Sequence, residues 1–224
     1  MAKKVSTKHD ELENVQHVLG TSEAFLEKYQ KQITYGLVVV ALIVLAIFAF
    51  RNWYIVPRSV EAQNEISKAQ NYFAIDSFRV AVEGNLECIG FHEIVSDFGI
   101  TPSGNLAAAY AGICYYKLGQ YEDAVKYLSK YNGKSSYLGI EVIGLIGDCY
   151  IELGNTEKAL SFFNKTIEKG NEVLSPIYLK KAASAYESLA KPTKALEMYK
   201  KIKDAYPSSS EASDIDKYIS RLEK

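Results

Sequence analysis

His92 stands beside Glu93, with Glu87 and Asp97 close by, and this is the one cluster whose residue types suggest hydrolytic or metal-dependent chemistry. A metalloprotease helix needs two histidines four residues apart, with a glutamate between them as the base. The second histidine is missing here, and the acids are predicted to lie on a solvated helix face. The sequence also has no phosphate loop, nucleophile elbow or paired-cysteine motif. We therefore predict no enzyme activity and no metal or cofactor.

Three cysteines, Cys88, Cys114 and Cys149, are too few and too scattered for a disulfide framework or a zinc site. Cys114 and Cys149 are 35 residues apart. We interpret them as small buried residues at equivalent positions of a repeat. The alternative is a functional disulfide.

The charge balance argues against two classes of partner. The formal net charge is −1 and the pI is about 6.3, so neither nucleic acid nor an anionic membrane surface is an expected partner. Acidic and basic residues alternate along residues 58–224, which is typical of a solvated surface.

The stretch from Ile33 to Phe50 contains no charged residue and predicts a membrane-spanning helix. It would be roughly 27 Å long at about 1.5 Å per residue, and a further turn to Tyr54 suits a hydrocarbon core of roughly 30 Å. Arg51, Trp53 and Tyr54 then fall where cations and aromatic rings favour the headgroups. The alternative is a buried core helix of a soluble protein.

The span is predicted to be a retained anchor rather than a cleaved signal, because a long segment precedes it and bulky residues follow it. The bias of positive charge favours a cytoplasmic N-terminus. The cations on the two sides are Lys3, Lys4, Lys8, Lys28 and Lys31 before the span, and Arg51, Arg58 and Lys68 after it.

Helical patterns also flank the span. Before it, apolar residues at helical spacing predict an amphipathic helix or a partly ordered tail. After it, a helix is predicted from Arg58 to Ile75, with a kink or restart at Pro57. A second pattern from Ser77 to Ile94 is disturbed by glycines, and residues 99–104 are predicted to be a loop.

After that loop, small residues and tyrosines recur at separations of 35 and 36 residues. A fixed period of about 20–50 residues is typical of stacked supersecondary units. The recurring positions are Gly112, Gly147 and Ala183, then Tyr115, Tyr150 and Tyr186, then Ala124, Ala159 and Ala195. The period predicts one helical hairpin in each unit.

Each recurring position has a steric role in such a hairpin. The small residue in the first helix and the alanine early in the second let the two helices approach closely. A larger side chain four residues after that alanine, namely Leu128, Phe163 or Tyr199, fills the space toward the next unit. Gly119 and Gly154 are predicted to end the first helices in the left-handed conformation.

This pattern resembles the tetratricopeptide repeat, W-x₂-L-G-x₂-Y…A-x₃-F…P. Pro207 supplies the terminal proline of the third unit, whereas Ala108, Ile143 and Leu179 stand in place of the tryptophan. The resemblance implies an α-solenoid over these units, and with the predicted span and an amphipathic terminal helix that caps the array, we predict an all-α fold. The predicted segments are a tail at 1–32, the span at 33–55, an irregular helical hairpin at 56–104, three repeats at 105–207 and a capping helix at 208–224.

Such arrays bind extended peptides or partner helices on the surface formed by their first helices. By resemblance, eight positions face that surface, and we call them the predicted groove. They are Ile113, Tyr116, Lys117, Asp148, Ile151, Glu152, Ser184 and Glu187. Arrays that clamp the acidic tails of heat-shock chaperones carry Lys and Asn where Ile113, Asp148 and Ser184 stand, so that use is not expected. The mixed apolar and acidic character suits an amphipathic or weakly basic segment.

A tail, one span and an exported array together resemble the ancillary SecYEG translocon subunits of the YfgM type. The resemblance implies a single-pass protein of the bacterial inner membrane, with its N-terminus in the cytoplasm and its repeats in the periplasm. Its implied partners are SecYEG, a membrane-anchored prolyl-isomerase-like chaperone and exported polypeptides. Two alternatives stay open: an N-anchored receptor with a cytoplasmic array, and an envelope-biogenesis scaffold unrelated to secretion.

Overall fold

The computed structural model describes residues 29–133 and 137–223, and these residues confirm the predicted all-α class. The interpretation of residues 1–28 lies outside this part of the chain. Within it the helices are α1 (Tyr29–Ala74), α2 (Phe78–Glu83), α3 (Phe91–Phe98), α4 (Pro102–Lys117), α5 (Tyr121–Leu128), α6 (Tyr137–Glu152), α7 (Thr156–Lys169), α8 (Leu174–Ser188), α9 (Pro192–Ala205), a 3₁₀ helix (Ser210–Asp214) and α10 (Ile215–Leu222).

Helix α1 contains the predicted span. One 18-residue window of it has a mean hydropathy of 2.8, and none of that window is buried. The helix is therefore long and apolar enough to cross a membrane. The sequence predicts a kink or a restart at Pro57, and the chain stays helical through Pro57 to Ala74. A π-helical turn from Arg51 to Ile55 precedes Pro57. In an α-helix, a proline ring clashes with the carbonyl group four residues earlier. For Pro57 that carbonyl belongs to Trp53, which lies inside the wider π-helical turn.

The residues from Pro57 onward form one unit, which begins with an irregular hairpin. Helix α2 ends at Gly84, whose φ of 84° favours glycine, and the chain resumes as a helix at Phe91. Buried side chains of this region, such as Ile66 and Ile94, form one core with Ala108 of α4. These side chains thereby cover this end of the array.

The predicted loop at 99–104 is wrong in its second half, because α4 already begins at Pro102. Proline is favoured in the first turn of a helix, where its missing N–H donor has no intrahelical role. The Thr101 hydroxyl caps the helix by accepting a hydrogen bond from the Gly104 N–H at 3.0 Å. Gly104 packs against the carbonyl of Phe98, which leaves no room for a side chain there.

Three helical hairpins follow, and their first helices end in the same way. In each, the recurring tyrosine carbonyl accepts a hydrogen bond from an N–H five residues later: Gln120 to Tyr115 at 2.9 Å, Asn155 to Tyr150 at 2.8 Å and Lys191 to Tyr186 at 2.9 Å. The preceding residue is left-handed in all three units, with φ values of 74° at Gly119, 72° at Gly154 and 54° at Ala190. These are Schellman endings.

The small residues lie at the close crossings that the repeat predicts. A Cβ atom on Gly112 would lie 2.9 Å from the backbone nitrogen of Leu128, and one on Gly147 would lie 2.6 Å from the Phe163 ring. Phe163 also contacts the next unit, where its ring centroid is 5.8 Å from that of Tyr178. The apolar face of α10 packs on the last hairpin through Ile215 and Ile219.

Candidate partner-binding surface

The structure brings five of the eight predicted groove residues to one cavity of about 290 Å³. They come from three successive first helices, so the cavity crosses all three repeats. These residues are Tyr116 on α4, Asp148, Ile151 and Glu152 on α6, and Ser184 on α8. Ile113 and Lys117 do not line it: Ile113 is half-buried against a neighbouring core cluster, and Lys117 is exposed.

A second cavity of about 760 Å³ adjoins the first and extends to the capping helix. Ser184 and Lys181 line both cavities, and the predicted groove residue Glu187 lines the second. Tyr218 and Arg221 of α10 form its far side. The predicted groove therefore reaches from the first repeat to the end of the array.

Lys181 joins the second and third units. Its Nζ atom lies 2.6 Å from Oδ2 of Asp148 and 4.9 Å from the centroid of the Tyr178 ring. Burial raises the pKa of Asp148 even though Lys181 acts to lower it, and the nearby Glu152 raises it further. Lys181 was missed from the sequence, although it lies one helical turn before Ser184 and hence on the same face.

Glu187 is held by two partners from different elements. The Tyr199 hydroxyl donates to Oε1 of Glu187 at 2.7 Å, and Nη2 of Arg221 lies 2.6 Å from Oε2. Burial, together with this hydrogen bond, raises the pKa of Tyr199. The Glu187 carboxylate therefore connects the last repeat to the capping helix.

Glu152 lies beside two aromatic rings at the other end of the groove. The Tyr116 and Tyr121 rings pack edge to face at a centroid distance of 5.7 Å. Burial, together with the nearby carboxylate of Glu152, raises the pKa of Tyr121. Glu152 itself is exposed, and none of the ion pairs among the described residues includes it.

The His92 cluster does not assemble into a site. The His92 ring packs edge-on against Tyr127, at a centroid distance of 5.8 Å. Glu87, Glu93 and Asp97 line a separate cavity of about 370 Å³ to which His92 does not contribute. Within residues 29–133 and 137–223, no three His, Cys, Asp or Glu side chains are arranged so that they could hold a metal ion.

All three cysteines are buried and carry free thiols. Burial raises the pKa of Cys114 and of Cys149 to about 12, so both thiols stay protonated at neutral pH. The prediction that they are small buried residues is confirmed by the structure.

Models of the tetratricopeptide repeat match residues 110–134, 140–168 and 178–209. No match was found among curated proteins. Among solved structures, a tetratricopeptide repeat protein from Parabacteroides merdae matches with 18% identity and a TM-score of 0.59. The match covers 72% of this chain and 60% of the Parabacteroides chain, which is less than two-thirds of that protein's length.

Two further structures have the same fold at lower identity. One, from Podosopora anserina, contains nearly identical TPR-like repeats and matches with 14% identity and a TM-score of 0.55, over 72% of this chain and 84% of that one. The MamA protein matches with 16% identity and a TM-score of 0.54, over 72% and 85% of the two chains. Residues 110–134, 140–168 and 178–209 thus match models of the tetratricopeptide repeat, and the solved structures share the helical fold of these hairpins.

Proposed function

We propose that this protein is a membrane-anchored, non-catalytic scaffold that binds a segment of a partner protein in the predicted groove. The observation that carries the proposal is the cavity shared by Tyr116, Ile151 and Ser184, which come from the first helices of three consecutive repeats. A surface built from all three units can follow several residues of an extended or helical segment. Helix α1 would tether this surface to a bilayer and raise its concentration near membrane-bound partners.

The layout of anchor and array supports a more specific role beside the Sec translocon. In that role residues 33–55 cross the bacterial inner membrane, the N-terminus is cytoplasmic and the repeats of residues 105–207 are periplasmic. The partners are then SecYEG, a membrane-anchored prolyl-isomerase-like chaperone and exported polypeptides. This assignment comes from the resemblance of the layout to the YfgM-type subunits.

Affinity purification of the full chain from mild detergent tests this role. We expect to recover the translocon and the chaperone with the wild-type protein. The variant Ser184→Trp fills the point where the two groove cavities meet and should lose the chaperone. Ser161→Trp is the matched control, because Ser161 is exposed on α7 and lines neither cavity. Recovery of neither partner with the wild type would contradict the translocon role.

A topology measurement separates the two cellular settings. Protease added to intact spheroplasts should degrade the array if the array is periplasmic. Protection of the array until the membrane is opened would instead support the cytoplasmic receptor. Loss of the array, together with purification of envelope-assembly proteins in place of the translocon, would favour an envelope-biogenesis scaffold.

A further inference from the structure

Carboxylates along the predicted groove hold the chain's own cations at two places, each time beside an aromatic ring. Asp148 binds Lys181, whose Nζ atom lies 4.9 Å from the centre of the Tyr178 ring. Glu187 binds Arg221, whose Cζ atom lies 5.4 Å from the centre of the Tyr218 ring. A cation is stabilised both by the carboxylate and by the negative face of the ring.

A third group of the same kind lies at Glu152 and has no cation among the described residues. The Tyr116 and Tyr121 rings pack edge to face, and both tyrosines lie close enough to Glu152 for its charge to act on their hydroxyls. Tyr116, Glu152 and the partly exposed Ile151 line the same cavity of about 290 Å³. This position therefore combines a charged acceptor, aromatic rings and space.

The electrostatic field around Glu152 also favours a bound cation. The charged residues of α6 are Glu141, Asp148 and Glu152, which are all acidic. Their spacings of seven and four residues place them on one face of the helix. Lys181 neutralises only Asp148, the middle one of the three. Glu152 is moreover the last residue of α6, where the helix dipole contributes roughly half a negative charge.

We infer that the cavity at Glu152 receives a Lys or Arg side chain from a basic, partly apolar partner segment. The cation lies against Glu152 and the two tyrosine rings, while apolar atoms of the segment contact Ile151. Glu141 lies roughly 16 Å further along α6, at about 1.5 Å per residue. An extended segment covers that distance in about five residues, so a second cation near this spacing can reach Glu141. This inference rests on the proposed function and adds the charge of the partner.

Synthetic peptides of one apolar frame test the charge directly. Three fluorescein-labelled versions carry Lys, Gln or Glu at the same four positions, and their binding to the full chain in detergent micelles is followed by fluorescence anisotropy. We expect the Lys peptide to bind at least about tenfold more tightly than the Gln peptide, and the Glu peptide to bind least. The preference for Lys should shrink when the salt concentration rises from about 0.05 M to about 0.3 M, because salt screens exposed charges.

Charge variants locate the interaction. Glu152→Lys should weaken binding of the Lys peptide by about tenfold, and Glu152→Gln by a smaller factor. Glu168→Lys is the matched control, because Glu168 is exposed on α7 and lines neither groove cavity, and it should leave the affinity unchanged. Circular dichroism confirms that each variant is folded.

Three results would overturn the inference: equal binding of the Lys and Gln peptides, unchanged affinity in Glu152→Lys, or no binding of any peptide. The variant Ser184→Trp separates this failure from that of the proposed function. If the Lys and Gln peptides bind equally to the wild type and Ser184→Trp abolishes the binding of both, the groove binds segments but does not select their charge. If it leaves peptide binding and partner recovery unchanged, the groove is not the binding surface, and both proposals are wrong.

Discussion

Nη2 of Arg221 on the capping helix donates to both carboxylate oxygens of Glu187 on the last repeat, at 2.6 and 2.7 Å. The two residues are 34 positions apart in the sequence. The Tyr199 hydroxyl donates to the same carboxylate at 2.7 Å. One acid therefore joins the third hairpin to the helix that closes the array, at the point where the larger groove cavity ends.

Removing the Arg221 guanidinium should weaken the packing of the capping helix α10 on the last repeat. We expect Arg221→Ala to lower the free energy of unfolding by about 0.5–1 kcal/mol, because the Arg221 side chain is more than half exposed and solvent weakens the pair. Amides of α10 should exchange hydrogen faster, while those of α4 should not change. Ser220→Ala, on the same helix and exposed, serves as the control. Equal exchange in wild type and Arg221→Ala would contradict the assigned role.

A side chain at the first close crossing should be costly. We expect Gly112→Ala to destabilise the protein by about 1–3 kcal/mol, because its Cβ would lie 2.9 Å from the backbone nitrogen of Leu128. Urea unfolding of the full chain in detergent micelles measures this free energy. The equivalent residue of the third unit is already alanine, so the converse change Ala183→Gly should cost at most about 1 kcal/mol. A neutral Gly112→Ala would mean that the crossing is less tight than the structure shows.

Ala190 should gain from replacement by glycine. Its φ of 54° is left-handed, a conformation that costs a non-glycine residue about 1–2 kcal/mol. Glycine removes that cost but increases the entropy of the unfolded chain, so we expect Ala190→Gly to stabilise the protein by about 0.5–1 kcal/mol. Gly154→Ala, at the equivalent position, should destabilise it by about 1 kcal/mol. If both variants changed the free energy of unfolding in the same direction, the helix endings at Ala190 and Gly154 would not be equivalent.

Asp148 should make the stability depend on pH. Burial raises its pKa in the folded state above the value in the unfolded chain. The folded state therefore binds the proton more tightly, and the stability that this proton contributes is present at acidic pH and is lost as the pH rises through the folded pKa. Asp148→Asn cannot ionise, so it should gain stability relative to wild type as the pH rises from the pKa of Asp148 in the unfolded chain through its pKa in the folded state. A relative loss over that range, measured by urea unfolding, would show that Lys181 outweighs burial.

A charge in the middle of the apolar part of α1 should impair membrane insertion. Val40→Arg should release part of the protein from membranes on alkaline extraction, because arginine at the centre of a span costs about 2.5–3.5 kcal/mol. Tyr35→Arg, near the start of the span, should stay in the membrane, since its side chain can reach the headgroups. Equal extraction of both variants and wild type would contradict the predicted span.

The repeat pattern predicts the hairpins because tight crossings and helix endings need particular residue types. Gly112 indicates a tight crossing and Gly119 a helix end, because few other residues fit at these positions. Ala190 gives no such signal, because alanine is common inside helices, and its left-handed conformation follows only from the register of the third unit. The sequence does not clearly indicate the helix start at Pro102, because proline and glycine in a short stretch are typical of a loop. Only the capping residue Thr101 distinguishes this stretch from a loop.

The candidate site was predictable only in part. The register placed Tyr116, Asp148 and Ile151 on one surface, because equivalent positions of stacked helices share a face. The contact between Arg221 and Glu187 depends on how the terminal helix packs, which no local pattern encodes. For the same reason the sequence does not reveal that Lys181 neutralises Asp148 and that Glu152 is left without a cation among the described residues.

The first helices of the three repeats form the proposed binding surface. Site-specific photo-crosslinking in native membranes examines this surface without purification, with a photoreactive residue at Ile151 in the groove or at Ser161 on α7. We expect covalent adducts with a partner protein from position 151 and none from position 161. Adducts from position 161 alone, or equally from both positions, would contradict it.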